Sequence, residues 1–221
     1  MGTSRTFKST CFYAILVSIL LFLLEGFSVV FVLMLTNNQE ISYFLGYLLT
    51  ILIITYKYKG ELINDLKNLK KDTKGLIKKL ILVYIGFILL MYLSNILLYN
   101  ILGNISSNES DFRSMLFSSP FLMSISVGIL GPIVEELAFR FPYKNIKTNK
   151  YLSFFIYTFI FAFIHVIANL SFPGILYIIS YFFLSMSIGY SFFKTNNICT
   201  SIIAHMFNNI STIVLLLIFG G

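Results

Sequence analysis

The sequence predicts an all-α fold: a polytopic transmembrane helical bundle of about seven spans (seven to eight), with its N-terminus in the cytoplasm. Two observations lead there. Of the 221 residues, 57% are hydrophobic and only 11% charged, whereas a soluble domain carries about a quarter charged residues. Apolar runs of about 20 residues recur along the whole chain, long enough for helices to cross a bilayer. These runs are continuous rather than alternating, so helices are the spanning elements that satisfy every backbone group in lipid.

The net charge of +7 is segregated. Eight of the sixteen basic residues lie between Lys57 and Lys79, and Lys144, Lys147 and Lys150 fall in a second short loop. Basic clusters beside membrane spans mark cytoplasmic loops and contact with the anionic lipids of the inner leaflet. No aromatic-basic interleaving or recognition motif accompanies them, which argues against nucleic acid as a partner. Cys11 and Cys199 lack a C-x-x-C partner and read as free thiols. The sequons at Asn104 and Asn108 and the Met1-Gly2 start with Thr6 match modification patterns too loose to carry weight. Heavy use of Ile, Lys, Asn, Phe and Tyr points to an AT-rich genome and a bacterial source.

The first span runs from about Thr10 to Leu35; it has no small-residue cleavage site and is too long for a signal peptide core. A turn at Asn37 to Glu40 returns the chain through Ile41 to Tyr56. Leu62, Ile63, Leu66, Leu69 and Leu76 then give the lysine-rich stretch 57–79 the pattern of an amphipathic helix lying on the inner surface. A third span covers Leu80 to Leu102, and a polar outer loop extends through Arg113. Ser118-Ser119-Pro120 opens the fourth span, with serine as cap and proline in the first turn. Gly131-Pro132 kinks it. The fifth span covers Tyr151 to Leu170, Pro173-Gly174 makes an outer turn, and the sixth ends at Phe193. Lys194 to Asn197 turns inside before the last span. The chain divides into residues 1–117, N-terminal helices with the lysine-rich loop, and residues 118–221, the part that holds the polar motifs.

Three of these apolar stretches deliver polar constellations built on ionisable groups, each group costing roughly 2.5–3.5 kcal/mol at membrane depth on insertion scales, which marks a functional site. Glu136 and Arg140 stand four apart and share a helix face, so they can pair. Glu135 points about 100° away and is left free for chemistry. Phe161 and His165 share a face, as do His205 and Asn209, with Asn208 adjacent. An imidazole and an amide on one face offer donors to a developing oxyanion. At ~1.5 Å per residue, Glu135 and Glu136 lie roughly 18–20 Å from an inner turn near Thr148, and His165 roughly 25 Å. Measured from Asn197, His205 lies ~12 Å and Asn209 ~18 Å along the last span. All fall within a few turns of one layer.

Glu-Glu-x-x-x-Arg, Phe-x-x-x-His and His-x-x-x-Asn, in this order on successive apolar helices, resemble the CPBP family. This is the CAAX protease and bacteriocin-processing group, also called Abi, related to the type II CAAX prenyl endopeptidases. The resemblance covers about Ser118 to Leu217 and implies a glutamate-dependent intramembrane endopeptidase, a multi-pass plasma-membrane protein whose site opens towards the cytoplasm. By that resemblance Glu135 is the general base, working with His165 on a water, and His205 and Asn209 stabilise the oxyanion. Glu136, Arg140 and Phe161 support the site. Many members have glycine after the arginine, where this chain has Phe141 and Pro142, so the exit of that helix is a point of departure.

No serine, cysteine or threonine stands out as a nucleophile; Ser201 and Ser211 lack a base at a defined spacing. Expected, then, is hydrolysis of a peptide bond in a small peptide or membrane-associated protein without a cofactor. In a bacterium the natural substrates are a pheromone, a bacteriocin leader or a membrane protein. Three other readings stand beside it. A non-catalytic self-immunity or scaffold protein would keep the site's shape. Two histidines and a glutamate could instead hold zinc. A transporter would join Glu25 of the first span to the same groups.

Overall fold

The computed structural model describes residues 2–144, 146, 149–167 and 173–220, with side chains from residue 10 onward. The described residues contain helices and turns and no strand. The expected turn at Thr148 and the end of the fifth span at Leu170 lie outside the described residues.

Helices α1 (Gly2–Thr36) and α2 (Gln39–Thr73) form an antiparallel hairpin. Asn37 takes a left-handed conformation (φ 48°), and the Asn38 side chain caps α2 by accepting from Ile41 N at 2.8 Å. A Cβ on Gly46 would lie 2.8 Å from the Val29 backbone, so glycine is what lets α1 and α2 approach here. α3 (Ile77–Leu102) packs on α8 (Ile178–Thr195), with Ser94 and Ser180 hydroxyls 2.8 Å apart. α7 (Lys150–Ile164) and α9 (Ile198–Phe219) flank α8. The centre belongs to α6 (Gly131–Phe139), which contacts α1, α2, α7 and α9 and buries Val134, Glu136, Leu137, Ala138 and Phe139. Leu20, Phe27, Leu82, Leu93 and Phe207 stay exposed on the outer faces, as lipid-facing residues must.

Six stretches are long and apolar enough to cross a membrane: Thr10–Thr36, Gln39–Thr73, Ile77–Leu102, Pro120–Tyr143, Gly174–Thr195 and Ile198–Phe219. α7 is apolar but only 15 residues long, about 22 Å against a hydrocarbon core of about 30 Å. The expected polytopic helical bundle is present, with α7 as its short member.

Two expectations need correction. The stretch after Arg113 was expected to open a helix only at Ser118, yet α4 already spans Ser107–Ser118. Ser106 caps it by accepting from Glu109 N, and Glu109 pairs with Arg113 one turn on at 2.8 Å. Ser106-x-x-Glu109 is a capping-box spacing inside the supposed loop. α5 (Pro120–Ile125) does begin with proline, but Ser119 makes no capping bond, and the Ser118 hydroxyl donates to Glu40 at 2.7 Å.

The lysine-rich stretch is no separate surface helix either; it continues α2 beyond a break at Tyr58 (φ −111°, ψ 17°). Its inward face is Leu62, Asp65, Leu69 and Asp72, while Ile63 and Leu66 are exposed. Buried Asp65 binds Lys144 in an ion pair and accepts from Ile198 N at 2.9 Å. Asn197 donates to the Asp65 carbonyl at 2.7 Å and to Asp72 at 2.8 Å. The lysine-rich helix, the 141–144 turn and the α8–α9 turn are thus clasped at one end of the bundle. The opposite end holds the α1–α2 turn, α4 and Gly220, tied by Ser118–Glu40 and by a Ser106–Tyr181 hydroxyl contact at 2.9 Å.

Candidate active site

The helix that carries the glutamates is interrupted just before them. Between α5 and α6, Ser126–Leu130 forms a π-helical turn in which Gly131 N donates to Ser126 O, five residues back. In that register the next donor would be residue 132, which is proline and has no N–H. The Val127 carbonyl is therefore without that main-chain donor, and Asn209 of α9 supplies one from Nδ2 at 2.9 Å. The kink expected at Gly131-Pro132 is thus a widened turn pinned by the third motif, a feature such turns often mark at functional sites.

Beyond this turn the two glutamates part. Glu136 is fully buried and Oε1 binds Arg140, also fully buried, and accepts from or donates to His205 Nδ1 at 2.9 Å. With the carboxylate held by the guanidinium, His205 Nδ1 is the donor. Arg140 Nη2 donates to Ser185 Oγ at 2.9 Å and the Ser185 carbonyl at 3.3 Å, and its guanidinium lies 4.7 Å over the Phe161 ring. Gly189, one turn beyond Ser185, leaves room for it: a Cβ there would lie 3.1 Å from Arg140 Nε and 3.0 Å from Tyr157.

Glu135 faces a cavity of about 760 Å³ with a side chain 19% exposed. Its Oε2 stands 3.7 Å from His165 Nε2 and 3.9 Å from His205 Nε2. Both separations exceed a direct hydrogen bond. His165 is the first residue past α7 rather than part of it. Its ring Nδ1 lies 2.8 Å from the Phe161 carbonyl, an oxygen that can only accept, so Nδ1 carries the proton and Nε2 in the neutral ring presents a lone pair to Glu135. The ring is held between Phe161 (4.3 Å) and Tyr181 (4.8 Å), and Phe161 also meets His205 at 5.6 Å.

Every residue singled out in the three motifs therefore converges on one place. Glu135, His165, His205 and Asn209 line the cavity, while Glu136, Arg140 and Phe161 form its buried floor. The departure at Phe141-Pro142 resolves into a short 3-10 turn, Phe141–Tyr143, directly after Arg140. Four contributors were missed: Ser185 and Gly189, Tyr181, and the Val127 carbonyl. Ser185-x-x-x-Gly189 has the small-x-x-x-small spacing of close helix contacts and was legible; the other two carry no sequence signal. Glu25 is an electrostatic neighbour of Glu135 but does not line the cavity. Among the described residues, no cluster of three or more His, Cys, Asp or Glu side chains could hold a metal ion.

The cavity passes between α3, α4, α8 and α9, with Tyr92, Asn95, Asn108, Asp111, Thr212 and Phe219 along it. Among the described residues, none of its lining comes from 57–79, 143–150 or 194–198. Its rim is at the end opposite the lysine-rich loops, whereas the resemblance puts the opening at the cytoplasmic end.

Residues 117–211 match the family model described as type II CAAX prenyl endopeptidase Rce1-like, the group that the three motifs resemble. The matched segment contains every motif residue and leaves α1–α3 outside it. Comparison with curated proteins gives no match, and comparison with solved structures gives none.

Proposed function

We propose, from the match of residues 117–211 to the type II CAAX prenyl endopeptidase Rce1-like family model and from the geometry above, that this multi-pass membrane protein is a glutamate-type endopeptidase. Its substrate is a peptide bond in a small peptide or membrane-associated protein. The observation that carries the reading is the facing of Glu135 Oε2 and His165 Nε2 at 3.7 Å. Two acceptors at that separation can share one water, each taking one of its protons in a hydrogen bond, which leaves the oxygen lone pairs free.

In the reaction the water oxygen attacks the scissile carbonyl carbon as its proton passes to Glu135. The carbonyl electron pair moves onto oxygen, where the imidazolium form of His205, through Nε2–H, and the second N–H of Asn209 donate to it. Collapse re-forms the carbonyl and breaks the C–N bond, and the proton on Glu135 goes to the leaving amine.

The test is cleavage of fluorogenic and membrane peptides by the purified protein, with and without a zinc chelator. Glu135→Gln is expected to lower cleavage at least ~100-fold, the usual scale for losing a general base, without changing thermal stability, and the chelator to have no effect. Cleavage unchanged in Glu135→Gln overturns the assignment; loss with chelator turns it to a metal mechanism.

A further inference from the structure

We infer that the substrate reaches this site from the non-cytoplasmic side, so that the enzyme takes exported or outward-facing peptide segments. The inference deepens the peptidase reading and rests on it for the word substrate, but its geometric basis is separate.

Below Glu135, towards the lysine-rich end, the cavity has a floor. Arg140, Phe161 and Ile198 are completely buried, and Leu137 and Tyr157 are 1% and 2% exposed. A smaller cavity of about 240 Å³ at the lysine-rich end, lined by Tyr143, Lys144, Tyr157 and Phe192, shares no lining residue with that of Glu135, and Asp65 clasps Lys144, Asn197 and Ile198 beside it. Across the α3–α9 gap the Tyr84 and Phe207 rings meet at 6.0 Å, with Phe207 on the outer face. Above Glu135 the same gap is open: Asn95 of α3 and Asn208 and Thr212 of α9 line it, and Asn108, Asp111 and Gly220 at its rim are exposed.

The two ends also differ in charge. The end below the floor carries Lys57 to Lys79, Lys144, Lys150 and Lys194, whereas the rim carries Glu109 and Asp111 against a single Arg113 that Glu109 pairs. Basic excess in short loops fixes the cytoplasmic side. With the cavity opening opposite the lysines, lysines inward and a site opening inward cannot both hold in this bundle, and the basic excess decides for the lysines. The mouth is also tied to the chemistry: Tyr181, whose ring lies 4.8 Å from that of His165, meets the Ser106 hydroxyl at 2.9 Å and accepts from Asn108 Nδ2 at 3.2 Å through its own hydroxyl. A segment threading beneath α4 passes this tyrosine on its way to Glu135.

The test is sidedness of labelling in a chain with Cys11→Ala and Cys199→Ser. Thr212→Cys and Asn95→Cys report on the cavity, and Lys70→Cys on the lysine-rich helix. Each is expressed in bacterial cells and exposed to a membrane-impermeant maleimide, in intact cells and in inverted vesicles. Expected is labelling of both cavity cysteines in intact cells only, and of Lys70→Cys in inverted vesicles only. Cavity cysteines labelled from the same side as Lys70→Cys, or from neither side until detergent is added, overturn the inference. The readout does not involve cleavage, so a failed peptidase assay leaves it standing, and the reverse is equally true.

Discussion

Asn209 presents a testable conflict between scaffold and chemistry, because one of its N–H groups is already committed to the Val127 carbonyl. Asn209→Ala leaves that carbonyl without its donor in a buried turn, and an orphaned acceptor costs about 1–3 kcal/mol. The cost arises because Pro132 supplies no amide to the π-helical register. Pro132→Ala restores an N–H at the position where that register seeks one. The double variant Asn209→Ala/Pro132→Ala should therefore be more stable than the sum of the single changes, with a coupling of about 1 kcal/mol, within the range for residues sharing a partner. Reversible unfolding of the four proteins in detergent micelles measures it. Cleavage assays on the same four then separate the roles: Pro132→Ala should rescue stability but not activity, since the cavity-facing donor is still missing. Strict additivity of the stability changes would refute the argument that proline and asparagine answer one another across this turn. Recovery of activity along with stability would refute the oxyanion role.

Two other perturbations follow from buried charge. Arg140→Leu leaves the fully buried Glu136 with His205 as its remaining partner and should destabilise by about 3–5 kcal/mol, whereas Glu136→Gln/Arg140→Leu should recover much of that in a thermal unfolding series; an equal loss in both would deny the pair. Asp65→Ala removes the acceptor of Ile198 N at the first residue of α9 and the partner of Lys144. A loss of about 0.5–2 kcal/mol, the scale of a lost helix cap, is expected together with faster proteolysis at the lysine-rich end, and an unchanged protease pattern would show that the clasp is dispensable.

The spans were legible because lipid leaves so few alternatives: a continuous apolar run must be a helix, and the turns at Asn37-Asn38 and Asn196-Asn197 announce themselves by residues that tolerate left-handed backbone or cap the next helix. The pairing of Glu136 with Arg140 was legible from spacing alone, since both partners sit on one helix. What spacing could not convey is anything between helices. Leu66 looks more like an inward residue than Asp65, yet Asp65 is buried because Lys144, Asn197 and Ile198 N come from elsewhere to meet it. Similarly, Tyr181 and the Val127 carbonyl acquire their roles only once α8 and α9 are placed. α4 is a different case, for Ser106-x-x-Glu109 has capping-box spacing inside a stretch whose polarity reads as loop.

Two adjacent glutamates in an apolar helix look redundant until their surroundings are compared. A buried carboxylate is tolerable where its charge is matched and its oxygens are bonded. Glu136 has its charge matched through Oε1 by Arg140 and His205 and is closed off completely, although its Oε2 has no hydrogen-bond partner among the described residues. Glu135 has no such pairing: its Oε2 also lacks a hydrogen-bond partner among the described residues, and two imidazole nitrogens stand beyond bonding distance from it at the cavity. Stability alone would favour an apolar residue at 135, as the flanking Val134 shows on the same helix. A site that keeps an unpaired acid on the cavity wall beside a charge-matched, closed one has reserved hydrogen-bonding capacity for something that arrives through the cavity. His165 has the same character, with one nitrogen fixed by Phe161 and the other left facing Glu135. The unmet capacity of these two side chains, rather than the ion pair beneath them, is what distinguishes a hydrolytic site from a structural salt bridge between membrane helices.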